Sequence, residues 1–323
     1  MGQVSPLQTG LAQPPSSQAG VVIEPLGELV QHVIADLKTR TTTPELPTGI
    51  PKLDEGIWGI HRSELTVISA RPGEGKSTLS LQIARHLADQ GKKVLFLSLE
   101  MTRHQLCERL LVQITQTEAW LLRTGNPDAI TKFLAQLEPL AGLWAKLNLH
   151  IVDGTGKTIE EVQHLLHLLC AEGGGPPDVM VIDHVQLARS DNPDHPRHEV
   201  IGRYVDELKD LAMRYNMAVI ACSQLNRDGT TNKGGKPKLS NLKGSGQLEE
   251  TGDCVILCWW EKLGTEEAPT GIDYWLLVEK QRFGSPGLQI KVAFDNARLT
   301  FTGVEETVPE WHTPPELRKD TDA

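Results

Sequence analysis

The chain has 323 residues, 39% of them hydrophobic, enough for one large core or two modest ones. Its net charge of −10 excludes a protein coated in DNA-attracting charge, so any nucleic-acid contact is expected to be local, in a groove or loop. Five cysteines without a CxxC pair argue against a disulfide framework and fit a reduced, cytoplasmic setting, while no apolar run reaches membrane length and the polar N-terminus lacks a signal peptide's pattern.

Residues 1–20, rich in Gln, Pro, Ser and Gly, are expected to form a disordered tail. Over residues 22–40, Ile23, Leu26, Leu29, Val30, Val33, Ile34 and Leu37 recur at helical spacing, interrupted by Pro25 near the start. Residues 41–44 end this stripe, so 21–44 read as a helix and linker. A helix tethered outside a domain buries its stripe on its own core or on a neighbouring subunit, and the pattern does not choose between them. Residues 47–59 read as a turn-rich approach to the first strand.

Residues 65–68 are an apolar run that reads as a buried strand. Ala70, Arg71, Pro72, Gly73, Glu74, Gly75, Lys76 and Ser77 then fit the phosphate-binding loop pattern, with Ala for Gly at its first position. Thr78 continues into a helix whose stripe of Leu79, Ile83, Ala84, Leu87 and Ala88 ends near Gly91, an expected C-cap. Gly73 and Gly75 permit positive φ and close backbone approach, so successive N–H groups can face phosphate oxygens at a helix N-terminus. Lys76 supplies a mobile positive charge, and the Ser77 hydroxyl is placed for Mg²⁺. A glycine turn with a solvated lysine would not need strand, loop and helix in this order. Residues 70–78 are expected to bind a nucleoside triphosphate.

Residues 93–99 read as a strand ending in Glu100, beyond which open α/β sheets hold their ligands. A carboxylate there can deprotonate an attacking water, or can merely favour a helix start. Residues 102–146 read as mainly helical, with a break at 125–127. Residues 154–158 imitate a second phosphate loop, but Ile151 stands where a small residue is required. Residues 147–152 therefore read as a strand, and Thr158 with Glu161 as a capping box. Residues 178–183 are a buried strand whose final acid, Asp183, would hold the Mg²⁺ water shell together with Ser77. Asp194, His195 and His198 read as a solvated surface segment rather than a metal site. Residues 217–222 form a further strand leading to Gln224, either a γ-phosphate sensor or a satisfied strand-end amide.

Arg227, Lys233, Lys236, Lys238 and Lys243 stand against only Asp228 in a glycine-containing stretch, a candidate for phosphate-backbone contact. Gly244 and Gly246 leave neighbouring N–H groups unhindered, and the absence of aromatic residues there argues against base readout. Cys254 and Cys258 share one face of a strand-like run and read as core. Residues 274–280 form another strand. Lys280 at its end and Arg282 just past it point the same way on an extended chain, suiting cations that reach a neighbour's γ-phosphate, or an exposed strand end. Residues 303–323 read as an acidic, mobile tail.

Taken in order, ARPGEGKS, FLSLEM, VMVIDHVQL, SQLNR, LSNLKGSGQLEETGD and KQRFG resemble the successive motifs of DnaB-type replicative helicases over about residues 45–300. The resemblance implies an α/β RecA-like P-loop NTPase core over residues 45–302, with a mostly parallel central sheet flanked by helices and preceded by a linker helix. It implies a homo-hexameric ring with ATP and Mg²⁺ bound between subunits, moving on single-stranded DNA and unwinding duplex in replication. By this likeness Lys76 and Ser77 bind phosphate and Mg²⁺, Glu100 is the catalytic base, Asp183 the Walker B acid and Gln224 the γ-phosphate sensor. Lys280 and Arg282 become the trans-acting pair, Lys243, Gly244 and Gly246 fall on the single-strand-binding loop, and the stripe over 22–40 docks on the adjacent subunit. A helicase loader or primase is the implied protein partner, although residues 1–44 leave no room for the family's primase-recruiting helical domain. His184 replaces a common tyrosine, Gly244 stands where glutamate is frequent, and LKGSG is nearer the spelling of phage-type and mitochondrial ring helicases. KQRFG is also similar to the RadA branching helicase. The rival readings are a recombination or strand-binding ATPase, and a regulatory RecA-fold ATPase without DNA contact; the basic stretch argues against the latter.

Overall fold

A computed structural model of the protein describes residues 24–39, 41, 43–140, 142, 146–154, 157–171, 174–190, 192, 194–225, 235–242, 246–264 and 269–303. The tails expected at 1–20 and 304–323, and the DNA-contact candidates Arg227, Lys233, Lys243 and Gly244, lie outside these residues.

Nine strands form one sheet among the described residues, in the order β3–β2–β4–β5–β1–β6–β7–β8–β9. They are β1 (Leu65–Ala70), β2 (Val94–Ser98), β3 (Leu149–Asp153), β4 (Val179–Asp183), β5 (Ala218–Gln224), β6 (Cys254–Gly264), β7 (Pro269–Gln281), β8 (Leu288–Asp295) and β9 (Thr300–Gly303). The pairings from β3 through β6 are parallel, and β6 through β9 are antiparallel. Every residue of β1, β2 and β4 is buried, because helices cover both faces of the parallel part. Residues one apart therefore feed two cores. Ile68, Phe96 and Ile220 pack with Leu79, Ile83 and Leu87 on one face. Val67, Leu97 and Val219 pack with Val162, Leu166, Val205 and Leu208 on the other.

The helices are α1 (Leu26–Thr39), α2 (Pro51–Ile57), α3 (Lys76–Asp89), α4 (Arg103–Thr115), α5 (Ala119–Arg123), α6 (Pro127–Leu137), α7 (Ile159–Ala171), α8 (Arg197–Tyr215) and α9 (Gly246–Thr251). Gly91 takes φ +80° just past α3, as its C-terminal stop requires. The capping box opens α7, with Thr158 N–H donating to Glu161 Oε2 at 2.8 Å and Glu161 N–H returning to Thr158 Oγ1 at 3.4 Å. Cys254 and Cys258 are both buried in the same core.

Three expectations need correction. Pro25 does not interrupt the first helix; α1 starts after it, and the Pro25 carbonyl accepts the N–H groups of Glu28 and Leu29. The approach at 47–59, read as turn-rich, is mostly a short helix. Pro51 opens α2, and Asp54 accepts from Thr48 N–H at 2.7 Å and Gly49 N–H at 3.1 Å. Residue 303 ends β9 rather than starting a tail; the alternating burial of β8 and the short β9 extend the sheet beyond β7.

The apolar stripe of α1 stays in solvent, with Leu26, Leu29, Val30, Val33, Ile34 and Leu37 all exposed. That resolves half of the choice left open by sequence, because α1 does not dock on its own core.

Candidate nucleotide site

Parallel register gathers the sequence-predicted residues at one edge of the sheet. Ala70 pairs with Gln224, and Ser98 with Asp183, so the phosphate loop, Glu100, Asp183 and Gln224 all lie at carboxyl ends of adjacent strands. Leu99 N–H donates to the Asp183 carbonyl at 2.6 Å, tying Glu100 to the strand end beside it. At Gln224, the side chain of Gln186 grips the backbone, accepting the Gln224 N–H at 3.0 Å while donating to Ser223 Oγ at 2.7 Å.

Gly73 and Gly75 adopt φ +84° and +85°. A side chain at Gly75 would also collide, because an added Cβ would stand 2.8 Å from the Phe301 ring. Beneath the loop lies an aromatic floor of Trp260, Tyr274, Phe294 and Phe301, with ring centroids 4.3–6.1 Å apart. The Tyr274 hydroxyl donates to the Glu74 carbonyl inside the loop. Arg71 and Glu74 close the loop on itself, with Glu74 N–H donating to the Arg71 carbonyl at 3.1 Å. Burial pushes the Glu74 carboxyl up, only partly offset by Arg71. Two amides tie α3 to the last strand and to the turn before it. Gln82 exchanges two 2.8 Å hydrogen bonds with the backbone of Phe301, and Gln113 donates to the carbonyls of Thr78 and Leu299 at 3.2 and 2.9 Å.

Lys76 and Asp183 form a buried ion pair. Burial alone would push the Asp183 carboxyl up, but the Lys76 ammonium overrides this and holds it below the usual range. Burial likewise disfavours the Lys76 charge, and Asp183 more than restores it. Lys76 Nζ also donates to Ser77 Oγ at 3.3 Å, which brings that hydroxyl beside the pair. Asp183 Oδ2 is fully buried without a hydrogen-bond partner among the described residues. A hydroxyl and an orphaned carboxylate oxygen are hard donors, so this pair fits Mg²⁺.

Glu100 is half exposed, and its Oε2 lies 3.0 Å from Nδ1 of the buried His184. One ligand atom from each of Glu100, Asp183 and His184 lies within 4.8 Å of the others. Burial, then Lys76, lowers the pKa of His184, which leaves the ring neutral near pH 7. Arg109, half-buried on α4, feels the same carboxylates: burial lowers its pKa while Asp183 and Glu100 act to raise it. Tyr274, Phe301, Gln186 and Arg109 were not singled out from sequence. The hydrogen-bond partners of Tyr274, Phe301 and Gln186 are 37 to 219 residues away, and no local spacing announces them.

Lys280 and Arg282 are not at this edge. Val255 pairs with Lys280, and Thr66 with Cys254, which places the two cations level with the start of β1. Lys280 Nζ donates to the carbonyls of Glu249 and Glu250 at 2.6 and 2.9 Å. Arg282 Nη1 lies 2.9 Å from Asp253, a buried carboxylate that also accepts from Lys209 Nζ at 2.6 Å and Leu65 N–H at 2.8 Å. Burial, then the Arg282 charge, lowers the pKa of Lys280.

Of the basic stretch, Lys236, Lys238 and Gly246 are described. A bridge between Leu225 and Leu242 closes its base next to Gln224. Arg71 Nη2 donates to the Gly235 carbonyl at 2.9 Å, which links the stretch to the phosphate loop. Lys238 and Gly246 are exposed and Lys236 is half-buried. Two surface pockets of 300 and 520 Å³ flank α8; the larger includes Gly246, and neither includes a nucleotide-site residue. Among the described residues no helix is long and apolar enough to cross a membrane.

A glycine loop between β1 and α3, a buried lysine–aspartate pair and a glutamate on the neighbouring strand end define a P-loop nucleotide-binding α/β domain. Residues 45–303 match the family described as DnaB-like helicase C terminal domain, and the chain belongs to that family. It is 32% identical over 282 residues to the replicative DNA helicase DnaB of Leifsonia xyli subsp. xyli, covering 86% of this chain and 61% of that protein. It is 30% identical over 241 residues to a probable plasmid replicative DNA helicase of Chlamydia psittaci, covering 74% of this chain and 52% of that protein. The chain thus spans between half and two thirds of the curated relatives it matches. Its fold is that of a solved DnaB-like replicative helicase described with its primase interactions, with TM-score 0.77 and 24% identity over 87% of this chain and 69% of that one. A solved ATPase domain gives TM-score 0.80 and 24% identity over 88% of this chain and all of the other.

Proposed function

We propose that the chain is the ATP-hydrolysing motor of a ring-shaped replicative helicase, a homo-hexamer that moves on single-stranded DNA and unwinds duplex. The observation that carries this reading is the separation of the nucleotide residues and the Lys280–Arg282 pair onto opposite edges of one sheet. A site needing both draws them from two copies, as a closed ring supplies.

In this reading the loop N–H groups and Lys76 bind the β- and γ-phosphates, and Ser77 and Asp183 hold Mg²⁺. The ion, when bound, neutralises phosphate charge. Glu100 takes a proton from the attacking water as its oxygen bonds to the γ-phosphorus and the bond to the bridging oxygen breaks, leaving ADP and phosphate. Gln224 senses the γ-phosphate. Lys280 and Arg282 of the adjacent copy stabilise charge on the transferring group. The basic stretch, with Lys243, Gly244 and Gly246, grips the DNA backbone, and its hold resets with each hydrolysis. The exposed stripe of α1 covers itself on the neighbouring copy. The names of the relatives support replication as the setting, and the solved neighbour described with its primase interactions supports a primase as protein partner; a helicase loader and a cytoplasmic location belong to the same reading.

The test is ATP turnover with and without single-stranded DNA, alongside unwinding of a forked duplex with one tail blocked. Turnover indifferent to single strands would remove the translocase reading. Rings in electron micrographs support the assembly, whereas filaments would favour a strand-coating recombination ATPase.

A further inference from the structure

We infer that His184 is a positioning residue that holds Glu100 in place to take a proton from the attacking water; this rests on Glu100 being the base proposed above. A glutamate at a strand end is a long side chain with several rotatable bonds, and Glu100 is half exposed. Left to itself it would spend its time in solvent. Among the described residues its carboxylate has one hydrogen-bond partner, Nδ1 of His184 at 3.0 Å. That ring is buried, and its own backbone is fixed, the His184 carbonyl accepting from Leu187 N–H at 3.0 Å. The backbones are in register too, because Leu99 N–H bonds to the carbonyl of Asp183. A short, closed path therefore runs from Glu100 through the main chain to His184 and back through the side chains.

An ionised carboxylate only accepts, so Nδ1 carries the proton and donates. The bond occupies Oε2 and leaves Oε1 free to receive a proton from water. The imidazole thus fixes direction without consuming the oxygen that does the chemistry. Misplacing a reacting group by an ångström costs on the order of a hundredfold in rate, so the effect belongs in kcat rather than in nucleotide affinity.

Three variants and one double variant decide this, assayed for steady-state ATP turnover and for binding of a fluorescent ADP analogue. H184L removes the donor and keeps an apolar fill; it is expected to lower kcat by about tenfold to a hundredfold with KM and ADP affinity within about threefold. H184N places an amide donor near the position of Nδ1 and is expected to recover most of that loss. E100Q is expected to lower kcat by at least about a hundredfold, and adding H184L to it should change nothing further, since the two act as one unit. If H184L turns over within twofold of wild type, if H184N is no better than H184L, or if the losses multiply in the double variant, the positioning role is wrong. If E100Q keeps wild-type turnover, Glu100 is not the base and the inference falls with that assignment. Inactive E100Q beside normal H184L spares the base and removes only His184.

Discussion

Tyr274 and Lys280 sit six residues apart on β7, yet the first touches the phosphate loop and the second is held at the opposite edge of the sheet. At the rise of an extended strand they are about 20 Å apart. No side chain bridges that span, so the cations at the far end of β7 cannot serve the loop that the same strand supports. K76A and R282A should each abolish turnover when pure. Mixed and allowed to reassemble, they should regain activity, with about a quarter of seams carrying an intact lysine and an intact arginine. Turnover in a dilution series of the mixture measures this; a mixture as dead as its components would refute a shared site.

Gly75 is constrained twice, by its left-handed backbone and by the Phe301 ring. G75A should lose about 1–2 kcal/mol from backbone strain alone, with further loss from the collision. Y274F removes only the donor to Glu74, so its melting point should change little while the KM for ATP rises several-fold. Thermal melts beside nucleotide titrations separate the two.

Asp253 is a buried junction that accepts from Lys209 and Leu65 and anchors Arg282. D253A strands Lys209 in a largely buried site and should destabilise the fold by about 3 kcal/mol. Urea unfolding checks this, and near-wild-type stability would mean the junction is replaceable.

Lys243 lies in the basic stretch whose described end reaches the phosphate loop through Gly235 and Arg71. K243A should leave DNA-free turnover near wild type and weaken stimulation by single strands. K238A should do so less strongly. The slope of log affinity against log salt should fall by about 0.7 per lost phosphate contact.

Burial favours a neutral Asp178, but hydrogen bonds from Arg62 and from Lys93 N–H reverse this and hold the carboxyl below its ordinary value. The folded value lies below the unfolded one, so the stabilisation is complete above the unfolded carboxylate range. It drains as pH falls through the lowered value. Asp183 behaves the same way against Lys76. Stability from urea midpoints should therefore be level from neutral pH to about 5 and fall steeply below about 4. D178N should be weaker at neutral pH and flatter in acid.

The parallel half of the fold was legible because its signals are local. Apolar runs at β1, β2, β4 and β5 each lead into a residue of the proposed site, and strand-end placement follows from parallel pairing. The loop glycines declare their backbone in the sequence itself. The floor under the loop was not legible, because Tyr274 and Phe301 reach it from antiparallel strands whose register no motif records. The histidine after Asp183 stood out only as an unusual spelling; its contact with Glu100 spans 84 residues. The proposed cover for the α1 stripe is a second copy, and one chain's periodicity carries no signal for it.

The reciprocal bonds between Gln82 and Phe301 close a loop of 219 residues. A ribosome makes the phosphate loop well before its brace, and each intervening strand must find its place before the brace can seat. Contacts of such long range form slowly, so the ability to hold nucleotide should be the final property this domain acquires as it matures. A nascent chain halted before residue 301 would carry every residue proposed to bind fuel and still lack the brace beneath them.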